Sequence, residues 1–332
     1  MKPVPPVVRK ELADQCGLDN AILRKLAGGQ ASSDGVIYKH GTNPVLMKVM
    51  VLPADDEIAL MRMAERFQFA KYMGDNGVRL VYPKVLDDGA LYASTQHEEE
   101  LFVAYLMDYI PGANIRSENW RSRFYTDWGQ LIGKMHRLSK DYPYWQHVPV
   151  KTSTGEEKHL FGWESEWASF YDWCKDKEVR QAFLQVKAYF ESLPQDRDCY
   201  GFIHNDPHAE NLLYDGKHLV LIDFDVANCH WFMTDIAITL QNTLFQVGGM
   251  YQYVQNRGKL MTHYSAFRRG YETENQLDDF WWKQIDNFIQ YRRCMAFTFL
   301  YDWLGKDAHA RNMWKSMIKL NPKVIHVPKK NV

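Results

Sequence analysis

Short apolar runs separated by turn residues dominate the first third of the chain and predict β-strands. Glycine-rich sequence follows the first run, Gly41-Thr-Asn-Pro44 follows the second, and a turn ending in Pro111-Gly112 follows the last. Such residues favour turns over regular structure and therefore bound strands. The predicted strands are Leu23–Leu26, Val36–Lys39, Val45–Val51, Leu91–Ser94 and Leu101–Met107.

Helical spacing of apolar residues appears once before Gly112 and dominates after it. Residues 54–78 begin with acidic residues and end at Asn76-Gly77, which are helix boundary signals. Beyond Gly112, helices are predicted within 123–139, 163–192, 232–256 and 275–319. Between them, a hairpin of Asn211–Tyr214 and His218–Ile222 is predicted around Asp215-Gly216, a dipeptide that favours a type I′ turn.

This order of elements predicts an α+β fold with two lobes. Residues 1–107 would form a strand-rich N-terminal lobe, with an N-terminal arm over about 1–20, and residues 108–332 a larger helical lobe. A chain of 332 residues suits two domains or one large one.

Composition narrows the class of protein. The net charge of −1 and the pI of about 6.9 argue against nucleic-acid or anionic-membrane partners. The five cysteines form no CxxC pair, which argues against a disulfide framework or a structural zinc site. With no secretory signal and no apolar run of membrane-spanning length, we expect a soluble cytoplasmic protein whose oligomeric state stays open.

The candidate chemistry lies in "GFIHNDPHAENLLYDGKHLVLIDFDVA", residues 201–227. The predicted hairpin would bring Asn211 and Asp223 to the same open end, near Asp206. Carboxylate and amide oxygens of this kind suit Mg²⁺. Two alternatives remain: ordinary loop polars with a strand-end cap, or a zinc hydrolase with ligands in His204-Asn-Asp206-Pro-His208.

"HNDPHAEN" followed by "LIDFD" resembles the catalytic segment of the aminoglycoside phosphotransferase family, small-molecule kinases with a protein-kinase-like fold. The resemblance extends over roughly residues 20–305, including the helical segments 120–142 and 232–240. It implies that Asp206 accepts the proton of a substrate hydroxyl, and that Asn211 and Asp223 hold the Mg²⁺ ions that bridge the phosphates of ATP. His204 and Asp235 would support the catalytic loop.

In the N-terminal lobe, the resemblance implies that Lys48 contacts the nucleotide phosphates. An exposed lysine on an edge strand is the alternative. Glu65, or else Glu57, would pair with Lys48. Further nucleotide contacts are expected from the loop with Gly28 and Gly29 and from the backbone of Asp108 and Ile110.

The sequence therefore predicts an ATP- and Mg²⁺-dependent kinase that phosphorylates a hydroxyl of a small molecule. A catalytically silent nucleotide-binding scaffold is the second hypothesis, and the metal-dependent hydrolase the third. Aromatic and acidic residues within 271–293 suggest a pocket for an amine-bearing acceptor, although Phe280, Trp281 and Phe288 also suit a helix core, and Asp278 and Asp279 suit a helix cap. Arg292 and Arg293 suggest instead a carboxylate or phosphate on the acceptor.

Overall fold

The computed structural model describes residues 3–26, 35–41, 44–116, 119–143, 149–246, 257–321 and 323. The strands there are β1 Leu23–Lys25, β2 Gly35–His40, β3 Val45–Pro53, β4 Ala93–His97, β5 Glu100–Asp108, β6 Val150–Lys151, β7 Glu157–Lys158, β8 Tyr200–Ile203, β9 Leu212–Tyr214, β10 Leu219–Leu221 and β11 Asn228–Trp231. The helices are α1 Pro6–Gln15, α2 Glu57–Asp75, α3 Ser122–Ser139, α4 Trp163–Trp173, α5 Lys177–Phe190, α6 Phe232–Gln246, α7 Arg257–Glu272, α8 Asp279–Phe299, α9 Tyr301–Leu304 and α10 Ala308–Leu320.

The chain forms two compact units. The first unit comprises Met1–Ala113, Pro149–Leu160 and Leu213–Asp225, and the second comprises Asn114–Val148, Phe161–Leu212 and Val226–Val332. The division into functional lobes after residue 107 stays a prediction. No helix in the described ranges combines the length and the apolar character needed to cross a bilayer.

The first unit is built on an antiparallel sheet with the strand order β1-β2-β3-β5-β4. Alternate residues of β3 face opposite sides because successive side chains of a strand point in opposite directions. Met47 and Val49 pack with α1 in one apolar cluster, whereas Leu46 and Met50 pack against the cluster that contains Met63 and Phe67 of α2. The sheet is thus covered on both faces.

Several predicted elements are confirmed, and the longest predicted helices are divided. The strands of the first sheet, α2 and α3 lie where the pattern places them, with boundary shifts of a few residues. The segment 163–192 is interrupted before Asp176, whose side chain accepts hydrogen bonds from the backbone of Glu178 and Val179 and begins α5. The segment 275–319 is likewise divided, since Asp307 caps a new helix, α10. Capping aspartates in apolar-periodic sequence are the cause.

The predicted type I′ turn at Asp215-Gly216 is wrong. The backbone N–H of Asp215 donates to the carbonyl of His218 at 3.2 Å, so Gly216 and Lys217 are the central residues of the turn. Only Gly216 has a positive φ, 97°, whereas a type I′ turn requires two such residues. The carboxylate of Asp215 accepts from the N–H groups of Lys217 and His218, both at 2.7 Å, and stabilises this alternative turn.

Glycine allows two helices of the second unit to approach closely. A Cβ atom on Gly129 of α3 would lie 2.0 Å from the carbonyl oxygen of Phe267, and one on Gly270 of α7 would lie 2.0 Å from that of Thr126. The backbones of α3 and α7 are therefore in direct contact.

All five cysteines lie in described segments; each is buried, and none forms a disulfide.

We expect Gly129→Ala and Gly270→Ala to lower the free energy of unfolding by about 1–3 kcal/mol or more, the usual cost of overpacking, because each methyl group would collide with backbone. Thermal and urea denaturation measure the effect. Gly258→Ala, also on α7, is the control, since its Cβ would meet nothing within 4 Å. It should leave stability unchanged or raise it by up to about 1 kcal/mol. Equal stability of all three variants and the parent would contradict the close approach.

Candidate active site

The loop after β8 is fixed by a buried carboxylate. Asp235 of α6 accepts hydrogen bonds from the backbone N–H groups of His204, at 3.1 Å, and Asn205, at 2.7 Å. It also accepts one from Nε2 of His136, at 3.1 Å. Burial lowers the pKa of His136, and its Nδ1 faces the hydroxyl of Tyr271 at 2.9 Å, so the neutral imidazole donates from Nε2. The supporting role implied for Asp235 agrees with this geometry.

The loop holds the backbone of Asp206 on both sides. Asn205 has a positive φ of 67°, an unusual conformation for a residue other than glycine. The N–H of Asp206 donates to Nδ1 of His204 at 3.2 Å, and its carbonyl accepts from Nδ2 of Asn211 at 2.9 Å. His204 is fully buried, as its implied supporting role requires. The backbone position of Asp206 is thereby set by its own loop.

The carboxylate of Asp206 is paired with two cationic or potentially cationic groups. Oδ1 lies 2.5 Å from the guanidinium of Arg292 on α8, and Oδ2 lies 3.3 Å from Nε2 of His208. Burial acts to raise the pKa of Asp206, but Arg292, His208 and His204 outweigh it and hold the pKa well below its ordinary value. Asp206 is therefore ionised at neutral pH, with its side chain 26% exposed.

A half-buried carboxyl, that of Glu166 on α4, contacts the residue that precedes Asp206. Its Oε2 accepts from Nδ2 of Asn205, and its Oε1 accepts from the hydroxyl of Tyr291 at 3.1 Å. Asn228 donates to it at 3.4 Å. Burial raises the pKa of Glu166, against the effect of these hydrogen bonds. The segment 163–173 contains several acidic residues, and helical periodicity alone does not distinguish Glu166 from the exposed Glu164.

Asn211 and Asp223, the predicted metal ligands, belong to the second and first units respectively, and each is described within its own unit. Asn211 ends a short 3₁₀ helix, Ala209–Asn211. Because its amide nitrogen donates to Asp206, its amide oxygen is the atom suited to a cation. Both assignments stay predictions. Within the described ranges, no group of three or more His, Cys, Asp or Glu residues is arranged to bind a metal.

In the first unit, Lys48 lies on β3 between Ile37 of β2 and Tyr105 of β5. The strand is central and Lys48 is buried, so the alternative of an exposed lysine on an edge strand is wrong. Its ammonium lies 2.5 Å from Asp225 and 3.3 Å from Asp223. Burial acts to lower the pKa of Lys48, but the two aspartates raise it well above its ordinary value.

The predicted pairing of Lys48 with Glu65 differs from what the structure shows. Among the described residues, Asp223 and Asp225 are the carboxylates that hold the ammonium, since they lie within its reach in the same unit. The alternative partner, Glu57, accepts instead from the backbone N–H of Ser153 at 2.7 Å. Burial and the like charge of Asp223 raise the pKa of Asp225, against the attraction of Lys48.

The remaining predicted nucleotide contacts are only partly described. Gly28 and Gly29 lie outside the described residues. Asp108, the last residue of β5, forms an ion pair with Lys84 at 2.6 Å. The carbonyl of Ile110 accepts from the N–H of Gly112 at 2.8 Å. The adenine contacts assigned to Asp108 and Ile110 stay predictions.

The aromatic and acidic residues proposed for the acceptor pocket have structural roles. Trp281 and Phe288 are buried in the core of the second unit. Asp278 caps α8 by accepting from the N–H of Phe280, and Asp279 is paired with Arg268 at 2.5 Å. The helix-core interpretation therefore applies to Trp281 and Phe288, whereas Phe280 is exposed. The acceptor hypothesis loses the support of the two buried rings and of the two paired aspartates.

Comparison with known proteins decides the family. A model described as the phosphotransferase enzyme family (APH) matches residues 3–270. The chain belongs to this family. Within it, amicoumacin kinase from Bacillus subtilis (strain 168) is 27% identical over 204 residues, which are 60% of this chain and 57% of that protein. The match thus covers just over half of that relative's length.

Solved structures show the same fold as this phosphotransferase-family chain. An amicoumacin kinase in complex with AMP-PNP, Ca²⁺ and Ami has a TM-score of 0.78 at 19% identity, over 95% of this chain and 93% of that one. A microcompartment-associated aminopropanol kinase has a TM-score of 0.64 at 12% identity, over 94% and 93%. A spectinomycin phosphotransferase in complex with ADP and spectinomycin has a TM-score of 0.55 at 16% identity, over 96% of this chain and 98% of that one. The predicted α+β, kinase-like fold class is confirmed.

The half-buried Glu166 makes stability of this family member depend on pH. The pKa of Glu166 is raised above its ordinary value of 4.5, so the folded protein holds this proton more tightly than the unfolded chain. Its contribution to stability is therefore present at low pH and is lost as pH rises through the folded-state pKa. We expect Glu166→Gln to lack this loss, with a stability difference from wild type that grows above pH 4.5 by up to about 1.4 kcal/mol per pH unit.

Urea denaturation measures this difference in the free energy of unfolding. The pH series runs from 4.5, the ordinary pKa of a glutamate, to about pH 8. Glu191→Gln is the control, because Glu191 is exposed and paired with Lys187 one helical turn away. Parallel pH profiles for wild type, Glu166→Gln and Glu191→Gln would contradict the assignment.

Proposed function

We propose that this protein is an ATP-dependent kinase that transfers the γ-phosphate to a hydroxyl group of a small molecule. One observation carries the proposal: in a chain of the phosphotransferase family, Asp206 presents an ionised, partly exposed carboxylate on a loop whose backbone is held by buried Asp235. A carboxylate held in this way can accept the acceptor hydroxyl proton and orient its oxygen.

The chain's own residues suit the remaining requirements of phosphoryl transfer, which are positioning and charge neutralisation. Lys48 would bind the nucleotide phosphates from the first sheet. The Asp223 carboxylate in the first unit is a ligand type that Mg²⁺ prefers, and it would bind a divalent cation. The Asn211 amide oxygen in the second unit is likewise suited to a cation. The bound cation would neutralise charge on the phosphates. No observation favours a nucleotide-binding scaffold, since Asp206, Asn211 and Asp223 are all retained.

For the acceptor, we propose a hydroxylated molecule that also carries an amine. Support comes from the names of structural relatives, which include an aminopropanol kinase and a choline/ethanolamine kinase family protein from Mesorhizobium loti.

The purified protein should transfer the γ-phosphate of ATP to at least one member of a panel of amino alcohols, aminoglycosides and hydroxy acids. Asp206→Ala should lower kcat by about 10²–10⁴, the usual contribution of a general base, with ATP binding nearly intact. A coupled ADP-release assay and calorimetry measure both. Asp198→Asn, at an exposed aspartate paired with Lys140, is the control and should retain the parent kcat. Turnover by Asp206→Ala at the parent rate, or transfer to hydroxy acids alone, would contradict the respective parts of the proposal.

If Asp223 binds nucleotide through a divalent cation, Asp223→Ala should weaken ATP binding about tenfold or more in Mg²⁺, equal to about 1.4 kcal/mol. In EDTA the variant and the parent should bind ATP equally, which separates loss of the cation from loss of the contact with Lys48. Calorimetric titration in Mg²⁺, in Ca²⁺ and in EDTA provides the comparison. Equal affinities of the two proteins in Mg²⁺ would rule out the assignment.

A further inference from the structure

The guanidinium of Arg292 occupies one specific oxygen of the Asp206 carboxylate. Its contact with Oδ1, at 2.5 Å, is shorter than the contact of His208 Nε2 with Oδ2, at 3.3 Å. Charge-assisted hydrogen bonds from arginine are short and strong, whereas a contact of 3.3 Å is weak. The two oxygens of Asp206 are therefore not equivalent, and Oδ2 is the one more readily available to another donor.

The residue next to Arg292 on α8 is bound to the same loop. The preceding residue on α8, Tyr291, donates to Glu166, and Glu166 accepts from the side chain of Asn205, which precedes Asp206. Two consecutive residues of α8 thus contact two consecutive positions of the catalytic loop, one directly and one through Glu166. The Arg292 side chain is 24% exposed, so most of its surface is packed.

We propose that Arg292 is a positioning residue for Asp206: by binding Oδ1, it directs Oδ2 toward the hydroxyl of the acceptor. The proposal rests on the function proposed above. The guanidinium would remain at the carboxylate during the reaction, because arginine does not lose its proton in proteins. It would also lie close to the acceptor oxygen, where it would help to balance negative charge on the transferring phosphoryl group.

The groups around Asp206 come from several elements. Its own loop contributes His204 and His208, α8 contributes Arg292, and α6 contributes Asp235, which binds the loop backbone. Glu166 of α4 interacts electrostatically with Arg292. Arg292 is the permanent cation among them. Without it, the Asp206 carboxylate would keep only the longer contact with His208, and its orientation would be less restricted.

Two substitutions separate charge from geometry. Arg292→Met removes both the charge and the hydrogen bond, and Arg292→Lys keeps the charge but loses the planar donor group. Arg197→Met is the matched control, since Arg197 forms an ion pair of the same length, 2.5 Å, with Asp141 on an exposed surface of the same unit. Thermal denaturation verifies that each variant is folded.

The first readout is the titration of Asp206 itself, followed by NMR of protein labelled with ¹³C at the aspartate carboxyl group and assigned with Asp206→Asn. Between about pH 4 and pH 8 the Asp206 carboxyl signal of the wild-type protein should not shift. The pKa of an ordinary aspartate is about 3.9, and the pKa of Asp206 is lower. In Arg292→Met the midpoint should be at least about one unit higher than in wild type. Arg197→Met should match wild type, and Arg292→Lys should lie between.

The second readout is steady-state kinetics. Arg292→Met should lower kcat about 10²-fold, the scale expected when a reacting group is misplaced, with KM for ATP changed less than about twofold. Its activity should also fall at a higher pH than that of wild type, because Asp206 must be unprotonated. Arg292→Lys should recover the pH profile more than kcat.

Each other outcome overturns the proposal. A shifted titration with unchanged kcat would make Arg292 a structural partner only. A raised KM for the acceptor with unchanged kcat would assign Arg292 to acceptor binding. If Arg292→Met does not fold, Arg292→Lys with wild-type titration and kcat overturns it. If wild type transfers phosphate to no acceptor, the proposed function fails, while the NMR titration still decides whether Arg292 controls Asp206.

Discussion

The loop that carries Asp206 depends on one buried carboxyl group. Asp235 is fully buried and accepts three N–H groups: two from the backbone of His204 and Asn205, and one from His136. A buried carboxylate is costly unless it is paired and hydrogen-bonded, so these donors are bound to it strongly. The same contacts hold Asn205 in its left-handed conformation, which costs about 1–3 kcal/mol in isolation. The backbone position of Asp206 follows from that geometry, and its carboxylate meets Arg292 of α8.

The first unit also buries a polar group that needs partners, but here the buried group is a cation. Lys48 lies on the central strand β3, where burial of an ammonium requires anionic partners. Asp223 and Asp225 provide them, and with two carboxylates for one ammonium the cluster carries net negative charge. Such a cluster is compatible with the divalent cation in the proposed function. Buried lysine and buried aspartate thus each fix one part of the chemistry within their own unit.

Apolar periodicity predicted the strands, and the resemblance to a known family implied the role of the Asp206 loop and its support from Asp235. The sequence did not predict the partners of Lys48, which lie 175 and 177 residues away along the chain. Nor did it predict Arg292 beside Asp206, or the partial burial of Glu166 rather than Glu164. These contacts depend on how helices pack, and periodicity within one helix carries no information about a charged partner on another.

The division of long helices has a related physical cause. Asp176 and Asp307 lie within segments of continuous apolar periodicity, and their capping role depends on backbone conformation. An aspartate in such a pattern is equally compatible with an exposed helical position. The turn at Gly216 was likewise decided by the side chain of Asp215, which bonds two backbone N–H groups.

The buried cysteines can report the opening of the unit in which each of them lies. Burial raises the pKa of the Cys16 thiol to about 11 and that of Cys199 to about 12, so the reactive thiolate is scarce in the folded protein. Alkylation therefore requires local or global exposure. Cys16 belongs to the first unit, and Cys174, Cys199, Cys229 and Cys294 belong to the second. The order in which these thiols are modified would record which unit opens first and how often.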